Sequence, residues 1–142
     1  MQVDTILQSK GSNVYTVKSG QRIAEAVREL NAHRIGAVVV VGDDGEVAGI
    51  VSERDIVRRM GDDPTSFLQR PISEIMTRSV VTCERTDTIG TVMERMTSNR
   101  VRHIPICQDG ALVGLVSIGD VVKGKIEEAE FEASALREYI AS

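Results

Sequence analysis

Gly49-Ile50-Val51-Ser52-Glu53-Arg54-Asp55-Ile56-Val57 and Gly114-Leu115-Val116-Ser117-Ile118-Gly119-Asp120-Val121-Val122 spell one stretch twice. Each copy reads as a strand end, a Ser, two variable residues, an Asp and the start of an apolar helix. The likeness extends outward. A shift of 66 places Val14 on Val80, Thr16 on Thr82, Ile23 on Ile89 and Arg34 on Arg100. Past the Gly45 and Gly110 turns the shift is 65, because the second turn is one residue shorter, a change that a loop absorbs. The repeat spans 14–60 and 80–126, and it decides the architecture before any single element does.

Both copies have the same element order. A short strand comes first, Asn13–Val17 and Val80–Cys83. A helix follows, with Ile23, Ala26, Val27 and Leu30 in one copy and Ile89, Val92, Met93 and Met96 in the other. That spacing makes one apolar helical stripe. Hydrophobic strands Ala37–Val41 and Ile104–Cys107 lead into Gly42-Asp43-Asp44-Gly45 and Gln108-Asp109-Gly110. Asp-Gly between apolar runs predicts a hairpin. The strands return as Val47–Val51 and Leu112–Val116, and second helices start at Ser52 and Ser117.

The expected fold is α/β (α+β): two β-α-β-β-α repeats about a pseudo-twofold axis, with short mixed sheets flanked by helices. The strands are so uniformly apolar that both faces of each sheet should be covered. Gly61–Ser66 reads as a linker broken by Pro64, and Ser73–Thr77 as a short helical lead-in to the second repeat. Asp4–Leu7 is given the same role before the first. The expected division is 1–66, 67–126 and a C-terminal helix over 127–142. Over Val121–Ile140, read as one long helix, Val122, Ile126, Ala129, Ala133, Leu136 and Ile140 alternate by four and three. The stripe suits packing on the helix's own domain or on a second copy in a homodimer.

Composition narrows the function. The formal charge of −4 argues against a broad nucleic-acid footprint, which needs a basic stripe. Local cations could still hold a phosphate. Cys83 and Cys107 form no C-x-x-C, so a reducing compartment is expected. The N-terminus lacks the basic start and apolar core of a signal peptide, and no apolar run reaches the roughly 20 residues of a membrane span. A cytoplasmic protein is expected.

Ser-x-x-Asp at a helix start has a plain structural role as a capping box. The same pattern suits a ligand: a Ser hydroxyl and a helix N-terminus accommodate phosphate, and an Asp one turn in can accept from a ribose diol. The two roles are compatible. Glu53 and Asp55 point apart at a helix start, so they make a poor acid/base pair. The chain has no P-loop and no G-x-G-x-x-G. Two His and two Cys without ligand spacing do not make a metal site. Both cysteines read as small buried apolar residues, and His33 as a helix-end residue facing water.

Taken in order and twice over, G-h-h-S-x-x-D, Ile75-Met76-Thr77 and Arg102-His103-Ile104-Pro105-Ile106 resemble a tandem pair of CBS domains, the module named after cystathionine β-synthase. The resemblance covers about residues 5–126. It implies two clefts for adenine-containing ligands: AMP, ADP, ATP, NAD(H) or S-adenosylmethionine. It further implies that each cleft takes its Ser and Asp from one repeat and its opposite wall from the other. One cleft would use Ile50, Ser52, Arg54 and Asp55 with Thr77, Val81, Val101, Arg102 and His103. The second would use Leu115, Ser117 and Asp120 with Lys10, Gly11, Tyr15, Ile35 and Gly36.

The first set gathers Arg54, Arg102 and His103, a suitable group for phosphate. The second has Gly119 and Gly36-Ala37 at the matching places, so the Asp55 cleft is expected to bind more tightly. The resulting expectation is a non-catalytic sensor module acting on a regulated partner protein. The rival expectations are a dimerisation module without ligand and a nucleotide-acting enzyme using His103 or an Asp.

Overall fold

The run Ala37-Val38-Val39-Val40 is fully buried, and the first repeat is assembled around it. The computed structural model describes all of Met1–Ser142. Its elements run α1 (Val3–Lys10), β1 (Thr16–Lys18), α2 (Ile23–His33), β2 (Ala37–Val41), β3 (Val47–Ser52), α3 (Glu53–Arg59) and α4 (Pro64–Gln69). A 3-10 turn (Ile72–Glu74), α5 (Ile89–Asn99), β4 (His103–Gln108), β5 (Ala111–Ser117) and α6 (Ile118–Ala141) complete the chain. The mixed α+β class is as expected from sequence, and the paired element order holds except for the first strand of the second repeat. The chain packs as two compact units.

One unit holds Asn13–Val80 with Gln108–Val113. Its sheet has the order β1-β2-β3. β1 runs parallel to β2 with Val17 opposite Val40, and β2 runs antiparallel to β3 with Val38 opposite Val51. The register slips between Val40 and Val41, next to the Gly42–Gly45 turn. Ile23, Ala26 and Leu30 of α2 pack against Val17, Val38, Val40 and Val51, joined by Phe67, Ile72 and Ile75. The lead-in to the second repeat is thus part of the first repeat's core. Backbone bonds tie it there: Ile23 N–H donates to Arg70 O at 2.8 Å, and Ile72 N–H to Gln21 O at 2.8 Å.

The other unit holds Met1–Ser12, Val81–Cys107 and Gly114–Ser142. Here β4 pairs with β5. Asp109 and Gly110 both have positive φ, 52° and 81°, as a two-residue type I′ hairpin turn requires. The expected strand Val80–Cys83 is reduced to one parallel bridge, Cys83 to Ile106. Cys83 N–H donates to Pro105 O at 3.1 Å, and Cys107 N–H to Cys83 O at 2.9 Å. The next rung back would need an N–H at residue 105, which Pro lacks. The equivalent residue in the first repeat is Val39, and there the ladder continues. The N-terminal segment packs on this second repeat: Val3 N–H donates to Asp87 O at 2.9 Å, Ile89 N–H to Met1 O at 3.0 Å, and Arg85 pairs with Asp4 at 3.0 Å.

α2 and α5 end alike. Arg34 and Arg100 adopt the left-handed conformation at φ 52° and 54°, and the next residue's N–H reaches back to Leu30 O or Met96 O. This Schellman-type turn directs Ile35-Gly36 and Val101-Arg102 toward the following strands. α6 starts at the Ser117 cap. Val121 and Gly124 are buried, with Gly124 admitting Met1, Ile6 and Ile89 to within 3.3–3.6 Å of where a Cβ would stand. Beyond Gly124 the helix is mostly exposed, and Val122, Ile126, Leu136 and Ile140 are left uncovered by their own chain.

Candidate functional site

Both Ser-x-x-Asp stretches form complete capping boxes. At the start of α3, Asp55 N–H donates to Ser52 Oγ at 3.2 Å, while Asp55 Oδ2 accepts from Ser52 N–H at 2.9 Å and from Ser52 Oγ at 3.0 Å. The start of α6 repeats this, with Asp120 N–H to Ser117 Oγ at 3.2 Å and Oδ2 accepting at 2.9 and 3.0 Å. In each copy one carboxylate oxygen carries the cap and Oδ1 takes no part in it. Capping therefore leaves half of the carboxylate's acceptor capacity for another donor.

The surroundings of the two boxes differ. In the unit holding Ser52 and Asp55, Ile50 and Thr77 exchange both backbone bonds at 3.0 Å. Gly36 O accepts from Glu53 N–H at 2.9 Å. Arg54 is exposed and forms no ion pair. In the unit holding Ser117 and Asp120, the carbonyl of Leu115 (the residue matching Ile50) accepts from Lys10 Nζ at 2.9 Å. The same ammonium pairs with Asp120 Oδ2 at 2.6 Å. Arg102 O accepts from Ile118 N–H at 2.8 Å, and the exposed Arg102 guanidinium forms no ion pair.

Burial pushes the Asp120 carboxyl up, but the Lys10 ammonium and the Ser117 N–H and hydroxyl outweigh it and hold the group below the ordinary aspartate range. A depressed folded-state pKa contributes stability that is fully present above the unfolded value of about 3.9 and is lost as pH falls through the folded value. Lys10 is more than a third exposed, so Lys10→Met should cost only about 0.5–1 kcal/mol at neutral pH. Urea unfolding of both proteins should show that difference near pH 7 and its disappearance as Asp120 protonates. A difference that persists unchanged in strong acid would show that Lys10 acts by packing instead.

The residues assigned from sequence fall in both units. Ile50, Ser52, Arg54, Asp55 and Thr77 lie in one with Tyr15, Ile35 and Gly36. Lys10, Gly11, Leu115, Ser117 and Asp120 lie in the other with Val81, Val101, Arg102 and His103. Contacts bring together Ile50 with Thr77, Gly36 with the first turn of α3, Lys10 with Leu115 and Asp120, and Arg102 with the first turn of α6. Tyr15 stacks face to face on His33, with ring centroids 3.4 Å apart and planes 8° apart. His33 also pairs with Glu29 at 3.2 Å. As expected, it is the exposed last residue of α2. Only the parallel β1–β2 crossover, with α2 between, brings Tyr15 to the end of that helix.

Cys83 is buried and Cys107 half-buried. Burial pushes both thiols up, in Cys83 against the opposing pull of Arg95 Nη1 at 3.2 Å from Sγ. Protonated thiols in these settings serve packing better than nucleophilic chemistry. No helix is long and apolar enough to cross a membrane.

Comparison with known proteins gives one family. The model of the CBS domain matches residues 9–62 and 72–127. The crystal structure of the CBS-domain protein ATU1752 from Agrobacterium tumefaciens superposes with a TM-score of 0.83 at 44% identity, over 88% of this chain and 99% of that one. The mitochondrial CBS domain-containing protein CBSX3 of Arabidopsis thaliana is 32% identical over 146 residues, covering 97% of this chain and 71% of that protein. The CBS domain pair of protein MJ0100, crystallised with 5′-methylthioadenosine and S-adenosyl-L-methionine, superposes with a TM-score of 0.79 at 26% identity, over 90% of this chain and 98% of that one. The doubled Gly-x-x-Ser-x-x-Asp stretch, folded twice into the same strand-to-helix corner, is the mark of a chain that belongs to the CBS domain family and carries two copies of the domain.

Proposed function

We propose that this protein is a non-catalytic regulatory module of the cytoplasm that binds an adenine-containing ligand, with AMP, ADP, ATP, NAD(H) and S-adenosylmethionine as the candidates. The observation that carries this reading is the divided carboxylate. Asp55 and Asp120 each spend Oδ2 on a helix cap and keep Oδ1 outside it. That arrangement suits a ribose hydroxyl while the helix stays capped. MJ0100, in complex with two adenosine compounds, supports an adenosine moiety as the common element.

Asp55 is the favoured anchor. Its helix start carries Arg54 without an ion pair, whereas Asp120 Oδ2 already accepts from Lys10. In this reading the ligand-holding residues are Ile50, Ser52, Arg54, Asp55 and Thr77 of one repeat, and Val81, Val101, Arg102 and His103 of the other. The second set is Leu115, Ser117 and Asp120 with Lys10, Gly11, Tyr15, Ile35 and Gly36. Occupancy biases a two-state arrangement that a partner protein reads.

Thermal unfolding against a panel of adenine, guanine and uridine nucleotides, with S-adenosylmethionine, tests the reading. A true ligand at 100 times its Kd adds about 2.7 kcal/mol of stability. The expected pattern is stabilisation by one or more adenine compounds and none by GMP or UMP, with the ligand recovered intact. No stabilisation by any adenine compound would leave a purely structural module. Ligand turnover abolished by His103→Ala would make the protein an enzyme.

A further inference from the structure

Tyr15 enters β1 with 38% of its surface exposed. One face of its ring is covered by the imidazole of His33, the last residue of α2. Centroids 3.4 Å apart and planes 8° apart leave almost no offset, so the imidazole overlaps the phenol squarely. The imidazole is held in turn, with Nε2 3.2 Å from Glu29 Oε2 one turn back on the same helix. Arg34, at φ 52°, ends α2 directly after His33 and turns the chain into Ile35 and Gly36. One helix end thus carries both the support of Tyr15 and two of the residues grouped with it. The second repeat has no such device. Its equivalents of Tyr15, His33 and Glu29 are Val81, Asn99 and Arg95, and Asn99 turns back on its own helix, donating to Arg95 O at 2.8 Å.

We propose that His33, with Glu29 behind it, is a positioning residue that fixes the Tyr15 ring as a flat platform for the adenine of a bound ligand. The inference rests on the adenine reading above, in which Tyr15 belongs to the Asp120 set. It adds to that set two residues that touch no ligand. The physical reason is entropy. A half-exposed tyrosine loses side-chain freedom when a base stacks on it, and that loss weakens binding. A ring already held in one plane loses less. A parallel stack covers one face of each ring, so His33 can hold Tyr15 from behind while a base takes the other face. The Asp55 set has Val81 at the matching place, so its affinity is independent of His33.

Calorimetric titration of the full chain carrying Asp55→Asn, with AMP, NAD+ and S-adenosylmethionine in turn, reads the Asp120 set with the other anchor weakened. Added His33→Ala is expected to weaken the bound compound about 5–10-fold, with the circular dichroism spectrum unchanged. His33→Phe keeps a flat ring behind Tyr15 and should restore affinity to within about twofold of the parent. Tyr15→Ala should itself cost about 10-fold or more. In that protein His33→Ala should change nothing further, because His33 acts through the missing ring. Tyr15 also reports directly. Trp is absent and Tyr139 is the other tyrosine, so in a Tyr139→Phe protein the emission is that of Tyr15, and a stacked adenine should quench it. Losses that add in the double variant, no recovery with His33→Phe, an unchanged affinity in His33→Ala, or a bound compound that leaves Tyr15 emission unaltered would each overturn the role of His33 and leave the adenine reading standing. Binding by the unmodified chain but not by Asp55→Asn would do the same. No binding by either protein would overturn the adenine reading and the role of His33 together.

Discussion

Asp55→Asn is expected to weaken binding of the preferred adenine compound about 100-fold while lowering stability by less than about 1 kcal/mol. The two effects separate because the two oxygens do different work. The cap rests on Oδ2, which accepts from Ser52 N–H and Oγ at 2.9 and 3.0 Å. An asparagine oxygen can still accept there. What asparagine removes is the charge and the second acceptor, which a ribose diol needs for a paired, charge-assisted contact.

The matched variant Asp120→Asn should cost affinity less, because Lys10 already draws on that carboxylate. It should cost stability more, because it removes the ion pair with Lys10 while the cap is kept as at Asp55. Calorimetric titration and urea unfolding of both variants give the four numbers. Equal affinity losses at the two positions would remove the proposed asymmetry. A loss under threefold at both would remove the ribose assignment altogether.

Gly49→Ala is expected to destabilise the protein by about 3 kcal/mol, and Gly114→Ala by about half as much, although the two glycines are equivalent in sequence. Neither has a positive φ, so the cost is one of space. A Cβ on Gly49 would stand 2.8 Å from both Thr77 O and Met76 Sδ. Thr77 O is backbone, held by Ile50 N–H at 3.0 Å, and moving it breaks the bridge that ties the lead-in to the first repeat. A Cβ on Gly114 would come as close as 2.6 Å, but to the Cδ2 methyl of Leu7. That side chain can rotate at the cost of repacking its buried neighbours. Urea denaturation of the two variants compares the effects directly. A loss at Gly49 no larger than at Gly114 would mean that the Thr77 strand edge is free to shift.

The capping-box reading and the ligand reading of Ser-x-x-Asp were compatible in the sequence, and the structure completes both boxes without using Oδ1. The cations divide differently from what the sequence suggested. The second set appeared poor in positive charge beside Arg54, Arg102 and His103. In the folded chain Lys10 lies on Asp120 at 2.6 Å, across 110 residues of sequence. The family resemblance had set Lys10 in the same cleft as Asp120, but nothing in the local sequence showed that the two form an ion pair.

The doubled stretch, the stripes Ile23/Ala26/Leu30 and Ile89/Val92/Met96, the Asp-Gly hairpin turn and the caps at Ser52 and Ser117 were determined by the sequence alone. Each depends on residues within about four positions of one another, where helical period, turn chemistry and capping act. The missing strand at Val80–Cys83 could not be read in the same way. A ladder belongs to two strands, and the residue that cuts it short, Pro105, lies on the other one. Nor could sequence order show that Met1–Ser12 packs with the second repeat while Ile72 and Ile75 fill the core of the first. Those pairings, like the stacking of Tyr15 on His33, are decided by which distant apolar surfaces and backbone donors find each other once the chain closes. Only the tertiary structure sets that.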